Sequence, residues 1–203
     1  HLNQTQCENH GSILASGNQV VIGGSIGSYT NAMNVITLPK IWIEKSINNG
    51  TINSTDANIA TVGGIVGTAF DSVNLFFGID GCKNYGLLSV FARKQSVGGI
   101  IGSVTNNGYA NVSIKKCFNE ASIVSGSKET NRVGGTIGVI NENAQSSFNI
   151  TECVNSGSMV VHGSHNNAGG LVGSIADNPL ILVRLLSGAN YGDVHLVNWE
   201  IQA

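Results

Sequence analysis

The feature that most constrains this chain is an internal repeat marked by a double glycine. Gly-Gly occurs five times in 203 residues, at spacings of 40, 35, 36 and 35 residues, each time within a hexamer such as VGGIVG or VGGTIG. A fixed period of this kind is the signature of a repeat architecture, in which each unit packs mainly against its neighbours. The paired glycines are Gly23 and Gly24, Gly63 and Gly64, Gly98 and Gly99, Gly134 and Gly135, and Gly169 and Gly170.

A second motif, C-x-N-x-G, precedes each hexamer in constant phase. Its copies start near residues 7, 46, 82, 117, 153 and 188, and its first position lies 16 or 17 residues before the double glycine. Cysteine occupies that first position in four copies, and Ser46 and Gly188 occupy it in the others. The asparagine is present in every copy, as Asn9, Asn48, Asn84, Asn119, Asn155 and Asn190.

The residues between these motifs indicate strands rather than helices. Short runs of β-branched residues are bounded by Gly and Asn, and no stretch sustains a helical spacing of apolar residues. We therefore predict an all-β fold, a β-solenoid of about five and a half coils of about 35 residues each. No significant helix is expected, and residues 1–203 are expected to form a single domain.

The geometry of one coil is less constrained than the fold class. One coil per repeat, with about three short strands and a longer loop, is the preferred interpretation, and two smaller coils per repeat is the alternative. The first unit is four residues longer than the others, which places an insertion within residues 28–42.

Equivalent residues of stacked coils would form ladders about 4.8 Å apart. The six asparagines are expected to stack at one corner, where each carboxamide can donate to and accept from the next. The glycine that follows the asparagine is expected to supply a left-handed turn, although Ala121 replaces it once. The double glycines would allow another backbone to approach closely.

C-x-N-x-G-x-[IVL] combined with V-G-G-I-V-G resembles the GLUG-type repeats of large secreted surface proteins, over residues 1 to about 196. The resemblance implies a β-solenoid that serves as a passive stalk or accessory region of adhesin-like proteins. It implies no catalytic residue, because the motif contains none.

No catalytic, cofactor or metal site is expected from the residues themselves. Acidic residues that could act as general acids or bases share no repeat position: Asp56, Asp71, Asp80, Asp177 and Asp193. Cys7, Cys82, Cys117 and Cys153 share a position that also accepts Ser and Gly, which favours a small buried slot with free thiols. One disulfide between stacked neighbours is the alternative, and no zinc-like spacing is present.

Five Asn-x-Ser/Thr sequons make glycosylation candidates if the protein is secreted: Asn3, Asn49, Asn53, Asn111 and Asn149. Asn49, Asn111 and Asn149 are expected to face outward.

The charge and the hydropathy of the chain argue against two classes of partner, nucleic acids and membranes. The net charge of −2 and the scattered basic residues argue against nucleic acid, and no apolar run reaches the ~18 residues of a membrane span. The strand-like ends are expected to pair head to tail into a homopolymer.

The sequence thus favours a non-enzymatic structural protein, an extracellular or cell-surface subunit or stalk that stacks end to end. Two alternatives remain open at this stage. One is a carbohydrate-binding or carbohydrate-processing β-helix with a groove near Tyr29, Trp42 and Glu44. The other is a stalk fragment of a larger adhesin.

Overall fold

A computed structural model describes residues 2–31, 40–71, 75–106, 109–142, 146–175 and 181–197. These residues form 24 strands, all paired in parallel, and no helix. The predicted all-β solenoid is confirmed. Strands that follow one another along the chain belong to different sheets, and each strand pairs with its equivalent one repeat away.

Two of the four sheets have six strands each. The first, sheet A, contains β1 (Leu2–Thr5), β6 (Lys40–Glu44), β10 (Leu75–Asp80), β14 (Ala110–Lys115), β18 (Ser146–Thr151) and β22 (Ile181–Leu186). Sheet B contains the two-residue strands β2 (Glu8–Asn9), β7 (Ile47–Asn48), β11 (Lys83–Asn84), β15 (Phe118–Asn119), β19 (Val154–Asn155) and β23 (Ala189–Asn190).

The other two sheets complete each coil. Sheet C contains β3 (Ile13–Ala15), β4 (Gln19–Gly23), β8 (Ile52–Gly63), β12 (Leu88–Gly98), β16 (Ile123–Gly134), β20 (Met159–Gly169) and β24 (Val194–Val197). Sheet D contains β5 (Ile26–Asn31), β9 (Val66–Asp71), β13 (Ile101–Asn106), β17 (Ile137–Glu142) and β21 (Val172–Ile175).

Each repeat forms one coil, so the alternative of two smaller coils is wrong. The expectation of about three short strands is also wrong, because a complete coil has a strand in each of the four sheets and the sheet C strand reaches 12 residues. The difference arises at the asparagine motif. Its two-residue strand, such as β11, satisfies a backbone ladder that a count of apolar runs does not reveal.

The core is built from columns of equivalent apolar residues. Ile52, Leu88, Ile123 and Met159 stack in register in sheet C and are fully buried. Alternate residues of each strand face this interior, so each coil buries its apolar side chains only when a neighbour covers them.

The register locates the extra length of the first repeat. β5 pairs residue for residue with β9, and β6 pairs with β10. The chain between these elements is four residues longer in the first coil than in the second, and the predicted insertion therefore falls at residues 32–39, outside the described residues.

The predicted left-handed turn at the glycine after each asparagine is wrong. Positive φ instead occurs one residue before the Cys position in all six coils, at Gln6, Lys45, Gly81, Lys116, Glu152 and Ser187. The glycine has another role, because a Cβ on Gly86 would lie 2.0 Å from the Gly50 carbonyl oxygen. The missing side chain allows the backbones of successive coils to approach.

Gly86→Ala should destabilise the fold by about 1–3 kcal/mol, because its methyl group would meet the Gly50 backbone and the two coils would have to shift apart. The fold can accommodate a methyl group at this motif position, since Ala121 holds it in coil four. Gly11 is the matched control, since it holds the same motif position and its Cβ would meet nothing closer than 3.8 Å. Gly11→Ala should change stability by less than about 0.5 kcal/mol. Urea unfolding of both variants measures the difference, and equal midpoints would refute the close-approach explanation.

Candidate assembly surfaces

The six motif asparagines form one continuous side-chain ladder along sheet B. The Nδ2 of each donates to the Oδ1 of the next, at 2.7, 2.8, 2.8, 2.7 and 2.7 Å from Asn9 to Asn190. The four inner members are fully buried. In two of them the remaining amide hydrogen also reaches backbone: the Nδ2 of Asn119 donates to the Ala121 carbonyl at 3.1 Å, and that of Asn155 to the Gly157 carbonyl at 3.0 Å. Buried carboxamides need such partners to offset their lost hydration.

The ladder has a direction, and its two ends therefore differ. At the first coil the Asn9 Oδ1 accepts from the Gly11 N–H at 3.2 Å and has no ladder donor among the described residues. At the last coil the Asn190 Nδ2 donates to the Gly192 carbonyl at 2.8 Å and has no ladder acceptor among them. One end thus presents an acceptor and the other a donor.

The double glycines pack against this ladder from inside the coil. A Cβ on the second glycine of a pair would collide with the asparagine of the following coil: 2.4 Å from Asn84 Cγ for Gly64, and 2.3 Å from Asn119 Cγ for Gly99. The same contact recurs in the other coils. The double-glycine hexamer of one coil therefore packs directly against the C-x-N-x-G motif of the next coil.

The last coil presents an uncovered apolar edge. Leu185, Val194 and Leu196 continue columns that are buried in the preceding coils, yet Leu185 is 52% exposed. The strands that carry them, β22 and β24, pair on one side only within the described residues. An apolar parallel edge of this kind is a template for a further strand.

The first coil presents the complementary edge. β1, β2 and β3 each pair only with the following coil in the described structure. Leu2 and Ile13 begin the columns that Val183 and Val194 end. The backbone alternates as in any parallel sheet, so donors and acceptors at one edge match those at the other.

All four cysteines are free thiols, and Cys82, Cys117 and Cys153 are buried. This agrees with the small buried slot expected for that position. The thiols donate to nearby carbonyls, for example from Cys117 Sγ to the Lys115 oxygen at 3.2 Å. Burial raises the pKa of the Cys117 thiol well above its usual range, and the adjacent thiols add to the shift.

The sequons differ in accessibility. Asn3 and Asn49 are exposed, and Asn111 and Asn149 face outward from sheet A but are half-buried. Asn53 is the least favourable acceptor, because its Oδ1 is buried with no hydrogen-bond partner among the described residues.

The aromatic residues that could have lined a carbohydrate groove near the insertion are separated. Tyr29 packs against the core. Trp42 faces outward, where its Nε1 donates to the Glu44 carboxylate and its ring covers Gly78. The two rings therefore do not form a common surface.

No protein-family model, curated protein or solved structure matches the chain. Across the described ranges, no group of three or more His, Cys, Asp or Glu side chains is placed to hold a metal ion. The same residues contain no helix of the length and apolarity needed to cross a membrane.

Asn119→Ala should cost about 3 kcal/mol or more, since it leaves the Asn84 amide and the Asn155 carbonyl buried without ladder partners at about 1–3 kcal/mol each. Asn9→Ala removes a half-buried end member with a single ladder bond and should cost about 1 kcal/mol. Chemical denaturation of both variants tests this order. A smaller loss for Asn119→Ala than for Asn9→Ala would contradict the ladder's contribution to stability.

The three buried thiols, Cys82, Cys117 and Cys153, should resist modification in the folded protein, because a reagent in solution cannot reach them inside the coil. Cys7 is half-buried and should react first. Labelling with a disulfide reagent at pH 8, followed by peptide mass mapping, should mark Cys7 in buffer and all four cysteines in denaturant. Rapid labelling of Cys117 in buffer would contradict the buried slot.

Proposed function

We propose that this chain is a non-enzymatic structural protein whose β-solenoid stacks head to tail into a fibre or surface layer. The observation that carries the proposal is the complementarity of the two coil edges. One edge offers the Asn9 Oδ1 and the columns begun by Leu2 and Ile13, and the other offers the Asn190 Nδ2 and the columns ended by Val183 and Val194.

The register of successive coils supports one way in which two copies would meet. Following the pairing of successive coils, Leu2 of a second copy would stack on Val183, Asn9 on Asn190 and Ile13 on Val194. The Glu8 N–H of the second copy would face the Gly188 carbonyl, as the Ala189 N–H faces that of Cys153 at 3.0 Å. Sheets A, B and C would thus continue from one copy into the next without a change of register.

The described residues of the last coil contribute no strand to sheet D. With β1 of one copy on β22 of another, β5 and β21 would lie two strand spacings apart, about 9.6 Å. Six strands of sheet A per subunit correspond to an axial repeat of about 29 Å. Because each contact joins unlike edges, the assembly has no built-in end.

An extracellular or cell-surface location is part of the proposal. It is supported by the resemblance to GLUG-type repeats of secreted surface proteins and by the exposed sequon asparagines Asn3 and Asn49. Coverage of the last coil by further coils of a longer chain is the alternative, and it would leave these 203 residues without self-association.

Leu185→Lys should abolish assembly or raise the concentration needed for it at least about tenfold, because a charge would be buried at the junction. Leu182→Lys is the matched control: it lies on the same strand, is 46% exposed and faces outward. Sedimentation velocity and negative-stain microscopy compare the two variants with the parent chain.

Filaments with the predicted repeat from the parent and from Leu182→Lys, but not from Leu185→Lys, would support the proposal. A parent chain that stays monomeric at high concentration would overturn it. So would equal assembly of all three proteins.

A further inference from the structure

A cleft of about 410 Å³ opens on the side of coils two to four, away from the coil edges. It exists because these coils differ by one residue at the bend of sheet C, the stretch around Phe91 where the pairing register shifts. The distance from the Cys position to the double glycine is 17 residues in coils two and four and 16 in coil three. The register shifts accordingly between Val90 and Ala92, and again between Ala92 and Lys94. Coil three is thus recessed between two bulges.

The bulges supply the walls of the cleft. On one side Asp56 holds a left-handed conformation at φ 56°, which aspartate tolerates better than most residues. On the other side Lys128 and Glu129 form the second bulge, where the Ser127 Oγ donates to the Arg93 carbonyl at 2.7 Å. The walls are therefore held by backbone geometry and a buried hydroxyl.

The floor carries an exposed aromatic ring. Phe91 is 40% exposed and leans over Gly126, where a Cβ would lie 2.6 Å from its Cδ1 and 2.7 Å from its Cε1. Gly126 therefore makes room for the ring against the backbone of coil four. A ring supported in this way gives a rigid apolar platform inside the cleft.

Charged and amide groups surround the ring. Arg93 and Lys94 both pair with Glu129, the lysine at 3.5 Å. The Asp56 carboxylate and the Lys128 ammonium line the cleft and make no ion pair with another described residue. Four of the chain's ten basic residues lie along this part of sheet C: Arg93, Lys94, Lys128 and Arg132.

We propose that this cleft binds an acidic oligosaccharide, a glycan built of uronic acid units. The Phe91 ring would pack against the apolar face of one pyranose, and Lys128, which has no ion-pair partner among the described residues, would pair with its carboxylate. Asp56 and Asn58 would accept and donate hydrogen bonds to hydroxyl groups. This combination of a flat ring, cations and short polar side chains fits a charged sugar better than an acidic peptide, which needs no ring platform.

The site does not depend on the proposed assembly, since coils two to four are interior to the array. Titration calorimetry with a trigalacturonate probe tests it directly, with a neutral cello-oligosaccharide and a short poly-glutamate peptide as comparisons. We expect saturable binding of the uronate that weakens as salt is added.

Phe91→Ala should weaken this binding at least about tenfold, and Gly126→Ala should weaken it by displacing the ring. Lys128→Gln should weaken it several-fold and reduce its salt dependence. Phe76→Ala and Lys40→Gln are the matched controls on sheet A, where Phe76 is 41% exposed, and should leave the affinity unchanged.

Three results would each overturn the proposal. One is the absence of saturable uronate binding at millimolar concentrations. Another is unchanged affinity in Phe91→Ala. The third is binding of the neutral sugar or the peptide as tightly as the uronate.

Discussion

The packing of a glycine against an asparagine one coil away sets the geometry of this solenoid. The second glycine of each pair lies so close to the next ladder asparagine that any side chain there would overlap it, as for Gly99 and Asn119. The asparagine in turn bonds to its equivalents above and below at 2.7–2.8 Å. Each contact fixes both the width of a coil and its spacing from the next, so the two motifs must recur in constant phase.

The same constraint explains where variation is tolerated and where function can reside. The interior columns and the ladder leave little freedom within a coil, because every member contacts two equivalents. Differences in length are confined to the bend of sheet C and to the connection between β5 and β6. The one-residue bulges at the bend create the Phe91 cleft, and the two coil edges expose groups that interior coils satisfy for one another.

Much of this fold could be predicted from the sequence, because its strongest signals are also its tightest contacts. The asparagine stack and the close approach at Gly64 and Gly99 follow from residue type and spacing. The left-handed residue could not be found, because only Gly81 among its six members is a glycine. In the sequence, the cleft corresponds only to a distance of 16 or 17 residues between the Cys position and the double glycine. The register then shows that Asp56 and Lys128 flank a coil that is one residue shorter. The two exposed coil edges were expected from the strand-like ends of the sequence. Which edge presents the amide donor and which the acceptor follows only from the structure.

Nuclear magnetic resonance of the asparagine side chains in the folded protein tests the packing of the glycines against the asparagine ladder. Exposed carboxamide hydrogens exchange quickly with water, whereas those in a buried ladder should exchange only when coils separate. A buried ladder should give protected side-chain amides for Asn48, Asn84, Asn119 and Asn155, with contacts from each to the α-hydrogens of the second glycine in the preceding coil. Fast exchange at all four asparagines, or the absence of those glycine contacts, would contradict it.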